Sequence, residues 1–197
     1  MKTTLVAAFG NFLQCDINSS KEFLEELPDS KNITKFILPV GYFKNDFIKP
    51  IKKIKPERII LIGMDDYSKN LQFEIIAKNA KITFKNPIRR FITTLYSYWL
   101  RLNNKNFRTT KPIPKELLTI VPIEMNKPLE IKLHSKPPQI AGIKISKNAG
   151  NYICNYSMWV IENYLICNKQ KTEFYFIHIP QKLNTKQKKN LMKFVLN

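Results

Sequence analysis

The chain has 197 residues, 44% hydrophobic and 12% aromatic, enough for one domain with a single sizeable core and too apolar for a disordered chain. Three cysteines, none in a C-x-x-C pair, argue against a disulfide framework and a structural zinc site, and no run is long enough to span a bilayer. The net charge of +18 admits nucleic acid, an acidic membrane or an acidic partner. The lysines are nonetheless spread along the whole chain, without a recognition helix, an aromatic RNA-binding pair or a glycine-rich phosphate loop, so a lysine-rich solvated surface is the expectation and polyanion binding a secondary reading.

In chain order, residues 3–9 read as a buried strand ended by Gly10. Continuous apolar runs of this kind belong to parallel sheets covered on both faces. Ser19 or Ser20 can cap a short helix over 21–27, with Glu22 and Glu25 well placed in its first turns. Residues 33–40 form a second strand pattern. Residues 42–54 have helical spacing that Pro50 should kink or break. Residues 58–62, R-I-I-L-I, are a third buried strand ended by Gly63. Strand, helix, strand, helix, strand is an α/β pattern, whose site lies beyond the carboxyl ends of the strands. Three loops, at 10–18, 63–70 and 148–154, should gather there.

Residues 71–82 read as strand, with Glu74 as a charge among apolar neighbours. Residues 88–102 are an aromatic, amphipathic helical piece, 103–111 a polar linker, and 117–123 strand-like. Prolines punctuate the stretch from Pro112 to Pro138. The basic run at 186–193 reads as a terminal surface helix.

The chemistry gathers near the C-terminus. A short strand over 143–146 meets the turn Ala149-Gly150-Asn151, and an amphipathic helical pattern follows with Cys154 near its start. A thiol at a helix N-terminus faces the positive end of the helix dipole, which favours thiolate. The strand at 174–179 carries His178, one of two histidines in the chain. A thiol on a strand–turn–helix and an imidazole on the next strand have the layout of a nucleophile and its base. A buried structural cysteine and a core histidine fit the same spacing, and spacing alone leaves both readings open. His134 has no evident partner in the sequence, and Cys15 and Cys167 read as structural thiols.

With these residues in hand, the chain resembles the pyroglutamyl peptidase I (pyrrolidone-carboxyl peptidase) family of cytosolic cysteine peptidases. Residues 141–155, A-G-I-K-I-S-K-N-A-G-N-Y-I-C-N, are similar to the family's cysteine block, and F-I-H-I-P at 176–180 matches its histidine motif. The family's E-R-V-A-I-N is echoed by E-I-I-A-K-N at 74–79. Its N-terminal G-F-x-P-F becomes A-F-G-N-F at 8–12, and Leu38-Pro39-Val40 falls where the family has L-P-V.

The resemblance implies a three-layer α/β/α sandwich with a mostly parallel central sheet, as a single domain over 1–197. It implies a Cys154–His178–Glu74 trio that removes an N-terminal pyroglutamyl residue without cofactor or metal. Phe9, Phe12 and Tyr152 would enclose the lactam ring, although core packing accounts for the same residues. A cytoplasmic location, a peptide substrate, no membrane and a homo-oligomer are the accompanying expectations.

Two departures stand out. The family's G-Q-A-G-G-R loop is G-M-D-D-Y-S at 63–68, so Met64 and Ser68 replace its glutamine and arginine, and Asp65 and Asp66 are gained. Lys69 is a candidate replacement cation. The segment at about 83–127 is divergent or inserted, and the helix expected before residue 141 is nearly absent. A non-catalytic or specificity-shifted relative, binding a small ligand or a peptide N-terminus in the same pocket, is the alternative reading.

Overall fold

The computed structural model describes residues 2–11, 18–102 and 113–197. Phe12, Cys15 and the linker at 103–111 lie outside the described residues.

In chain order the elements are β1 (Thr4–Phe9), α1 (Ser19–Glu26), β2 (Ile33–Leu38), α2 (Lys44–Ile54), β3 (Arg58–Asp65), β4 (Leu71–Glu74), β5 (Ile76–Lys78), β6 (Lys81–Phe84), α3 (Pro87–Leu102), β7 (Leu118–Val121), β8 (Glu130–Lys132), β9 (Ile143–Ser146), α4 (Ile153–Cys167), β10 (Glu173–Pro180) and α5 (Thr185–Leu196). Six strands form the central sheet in the order β2-β1-β3-β10-β4-β9. The first four run parallel, β4 is antiparallel to β10, and β9 is parallel to β4. Two ribbons, β5 with β8 and β6 with β7, stand beside the sheet.

Strand alternation divides the core into two layers. Leu5, Ala7 and Phe9 of β1 join Phe47 and Ile51 of α2 and Trp159 and Ile161 of α4 on one face. Val6 and Ala8 join Phe23 and Leu24 of α1 and Leu191 and Val195 of α5 on the other. Helices therefore cover both faces of a mostly parallel sheet, which is the three-layer α/β/α architecture.

Several elements differ from the reading of the sequence. Residues 71–82 are three strands in three different sheets. The chain leaves the central sheet after Glu74, and Asn79 fixes the turn between β5 and β6: its side chain accepts from the backbone N–H groups of Ile123 and Glu124 and donates to the Glu124 carbonyl. Asn18 caps α1, accepting from Ser20 N at 3.0 Å, while Ser19 and Ser20 are buried within the helix. Pro50 sits inside α2 without ending it. The terminal basic helix buries Leu191, Phe194 and Val195, so it is a core element with a basic outer face. The described residues between β8 and residue 141 form no helix; Asn190 of α5 donates to the Ala141 carbonyl at 2.6 Å, while Ile145 stays 53% exposed.

Helix α4 is the most enclosed of the helices, with eleven of its residues, Met158 and Trp159 among them, buried. Asn155, fully buried, ties its first turn to the β5 ribbon. The Asn155 side chain accepts from Lys78 N at 2.7 Å and donates to the carbonyls of Lys78 and Ala80 at 2.9 and 2.7 Å. Asn155→Ala would leave three backbone groups without partners, and each such loss costs about 1–3 kcal/mol. The expected result is destabilisation of at least about 2 kcal/mol in denaturant unfolding; an unchanged midpoint would show that the tie contributes nothing.

Candidate active site

Three elements deliver the groups of interest to one place. β3 and β10 are parallel with His178 opposite Gly63. β4 and β10 are antiparallel with Glu74 opposite Phe176. Residues two apart on a strand share a face, so Glu74 lies diagonally beside His178. The Nδ1 atom of His178 is 2.9 Å from Oε1 of Glu74, and both residues are buried. The Cys154 sulfur and the edge of the same imidazole converge over Gly63.

Gly63 makes this convergence fit. A Cβ there would meet Cys154 Sγ at 2.9 Å, Phe176 at 2.9 Å and His178 Cδ2 at 3.3 Å. No side chain fits that gap without moving the sulfur or the rings.

Cys154 is the second residue of α4 and partly exposed. The turn before it requires Gly150 at φ +75°, a conformation that side chains with a Cβ rarely adopt. Tyr152 stands at the N-cap with no side-chain cap bond, so the first backbone N–H groups of the helix are not spent on a capping side chain. The arrangement offers a sulfur nucleophile, a proton donor beside it and an anchored carboxylate behind the donor.

The electrostatics follow from these contacts. Burial by itself would push the His178 imidazole down. The charge on Cys154 and its hydrogen bond, followed by the Glu74 hydrogen bond and charge, overcome burial and raise His178 to about 10.

The other expected site residues are placed as follows. Phe9 is 2% exposed, with its ring edge on Phe47 at 6.5 Å, and belongs to the core. Tyr152 is 55% exposed beside Cys154. Met64 is buried and opposite Ile179. Ser68 is committed to its own loop: its hydroxyl donates to the Asn70 carbonyl and accepts from Asn70 N and from Gln72 Nε2. Lys69 is exposed, and its carbonyl accepts from Gln187. Burial and then Asp65 push the Asp66 carboxyl up.

Sequence reasoning missed Tyr42, Tyr156 and Lys81. The Tyr42 and Tyr156 rings meet edge to face at 5.0 Å, and the Lys81 ammonium lies 6.0 and 5.7 Å from their centres. Burial, then the charges of Tyr152 and Cys154, push the Tyr42 phenol up. Burial and then Arg90 push the Lys81 ammonium down. The partner of His134 was also missed. It is Glu162 of α4, fully buried, whose Oε1 accepts from His134 N at 3.0 Å and lies 2.8 Å from its Nδ1. No sequence spacing links residues that lie 28 apart on different elements.

The raised value of His178 has a definite sign. The ordinary histidine value is about 6.5, so its contribution to stability is fully present below about pH 6.5 and is lost as the pH rises through about 10. In carbon-detected NMR of the ring, His178 should read as imidazolium at pH 8 and titrate only on approach to about 10. Loss of the proton near the ordinary histidine value would contradict the ion pair.

No protein-family model matches the chain. It is 29% identical over 184 residues to pyrrolidone-carboxylate peptidase 2 of Caldanaerobacter subterraneus, covering 89% of this chain and 80% of that protein. It is also 29% identical over 184 residues to the pyrrolidone-carboxylate peptidase of Thermoanaerobacter pseudethanolicus, covering 89% and 81%. Among solved structures, pyrrolidone carboxyl peptidase from Thermococcus litoralis superposes with a TM-score of 0.64 at 21% identity, over 95% of this chain and 79% of that one. The enzyme from Pyrococcus furiosus does so with a TM-score of 0.64 at 21% identity, over 93% and 82%. Relatives of one name along nearly the whole chain, together with the shared fold, make this chain similar throughout to pyrrolidone-carboxyl peptidases.

Proposed function

We propose that the protein is a cysteine exopeptidase that removes an N-terminal pyroglutamyl residue, with Cys154 as nucleophile, His178 as acid and base, and Glu74 as its anchor. The observation that carries the reading is the His178 imidazole bonded to the Glu74 carboxylate, with the Cys154 sulfur beside it over Gly63. The relatives' names supply the substrate class.

In this mechanism the Cys154 thiolate attacks the carbonyl carbon of the amide that follows the pyroglutamyl ring. The electron pair moves to oxygen, and backbone N–H groups at the start of α4 stabilise that oxyanion. The C–N bond then breaks while His178 Nε2 delivers its proton to the departing amine. A thioester and a neutral imidazole remain. Water adds to the thioester as His178 takes its proton, and collapse releases pyroglutamate and the Cys154 thiolate. Glu74 accepts from Nδ1–H throughout, which fixes the ring's orientation and favours its charged form.

Burial of Met64 and the inward commitment of Ser68 favour a shifted pocket. The residues that line the site are then Tyr152, Tyr42 and Tyr156 with Lys81, in place of the family's glutamine and arginine. A second reading, in which the same pocket binds a peptide N-terminus without turnover, rests on that replaced loop.

A fluorogenic pyroglutamyl amide separates the two readings. Hydrolysis under reducing conditions should fall by at least about a thousandfold in Cys154→Ser and in His178→Ala. Saturable binding of the amide with no turnover above the Cys154→Ser background would replace the peptidase reading with the binding one.

A further inference from the structure

Helix α3 lies outside the three layers. It follows the β6–β7 ribbon, and Arg90 at its start donates to the Phe84 carbonyl of that ribbon at 3.0 Å. Along its length Ile88, Phe91, Ile92, Leu95, Tyr96 and Trp99 are between 47% and 68% exposed. Their spacing of three and four residues puts them in one stripe of the helix surface. Tyr96 and Trp99 stack on each other at 5.9 Å within it. Arg89 borders the stripe, and Arg90, Thr93 and Thr94 occupy the opposite side, where the two threonine hydroxyls donate to the carbonyls of Arg89 and Arg90.

The charge of this region is one-sided. Residues 75–115 hold ten lysines or arginines and no aspartate or glutamate. An amphipathic helix with aromatic and aliphatic residues on one side and arginines on the other is built to lie in a lipid interface. Basic residues near the surface add attraction to anionic headgroups. A second copy of the chain is the poorer occupant, because pairing along this stripe would bring two acid-free, cationic segments together.

We infer that α3 docks the protein onto an anionic phospholipid surface, with the stripe from Ile88 to Trp99 set among the headgroups and the surrounding basic residues paired with lipid phosphate. This is surface association without crossing, since no helix among the described residues is long and apolar enough to span a membrane. It is independent of the peptidase reading.

The test is flotation of the full chain with vesicles of phosphatidylcholine alone or mixed with phosphatidylglycerol. Trp99 emission reports insertion, because Trp159 is fully buried. The wild type should float only with the anionic vesicles, with a blue shift of its emission. Binding should fall by about tenfold or more between 0.1 M and 1 M salt, as the screening length drops from about 10 Å to about 3 Å. Phe91→Ser with Leu95→Ser should abolish flotation while Cys154 alkylation stays unchanged. The inference is overturned by equal binding to neutral vesicles, by undiminished binding of the double variant, or by no binding at all. No binding, with self-association that the double variant removes, would assign the stripe to a second copy instead.

Discussion

The site depends on one close approach. Over the face of Gly63, a sulfur from the start of α4 and an imidazole from β10 occupy the space that a side chain would fill. The sheet order makes this possible by setting β3, β10 and β4 side by side. β3 contributes the missing side chain, β10 the imidazole and β4 the carboxylate. The reversal of β4 against β10 matters here. It aligns Glu74 with Phe176, two residues before His178, so a short carboxylate reaches Nδ1 without bending either strand.

That arrangement stores charge where water is scarce. A buried ion pair is a weak source of stability, because removing both partners from water offsets much of their attraction. The surrounding structure holds it in place. Asn155 ties the first turn of α4 to the β5 ribbon with three hydrogen bonds. Further along the same helix, Glu162 holds the backbone and ring of His134, whose Nε2 in turn lies 2.8 Å from the Thr172 carbonyl just before β10. Helix α4 is thus fastened at its first turn and past its middle by buried polar groups, and His134 links it to the chain just ahead of β10.

Much of this was legible in the sequence, for physical reasons that differ by element. The strands β1, β3 and β10 are continuous apolar runs that only a doubly covered sheet accommodates, and they were read within a few residues of their bounds. The places of Cys154, after a turn glycine at a helix start, and of His178, on a strand, were readable, but their spacing left their roles open. Apart from the Glu74–His178 pair, which the family resemblance implied, contacts between distant elements could not be read. The run at 71–82 carries one continuous strand pattern, but the chain leaves the central sheet after Glu74, and Asn79 fixes the turn between β5 and β6 through bonds to residues more than forty positions away. The wall of Tyr42, Tyr156 and Lys81 and the Glu162–His134 pair arise the same way. The terminal helix was read as surface because its lysines outnumber the three residues, Leu191, Phe194 and Val195, that anchor it.

The central claim is that Cys154 is a nucleophile made reactive by His178 toward a pyroglutamyl group. Intact-mass analysis after brief exposure to a pyroglutamyl halomethyl ketone tests it most directly. A single adduct is expected, mapped to Cys154, with the exposed thiol of Cys167 unlabelled and formation of the adduct slowed severely in His178→Ala. Labelling of Cys167 in preference to Cys154, or a Cys154 adduct formed equally fast without His178, would contradict it.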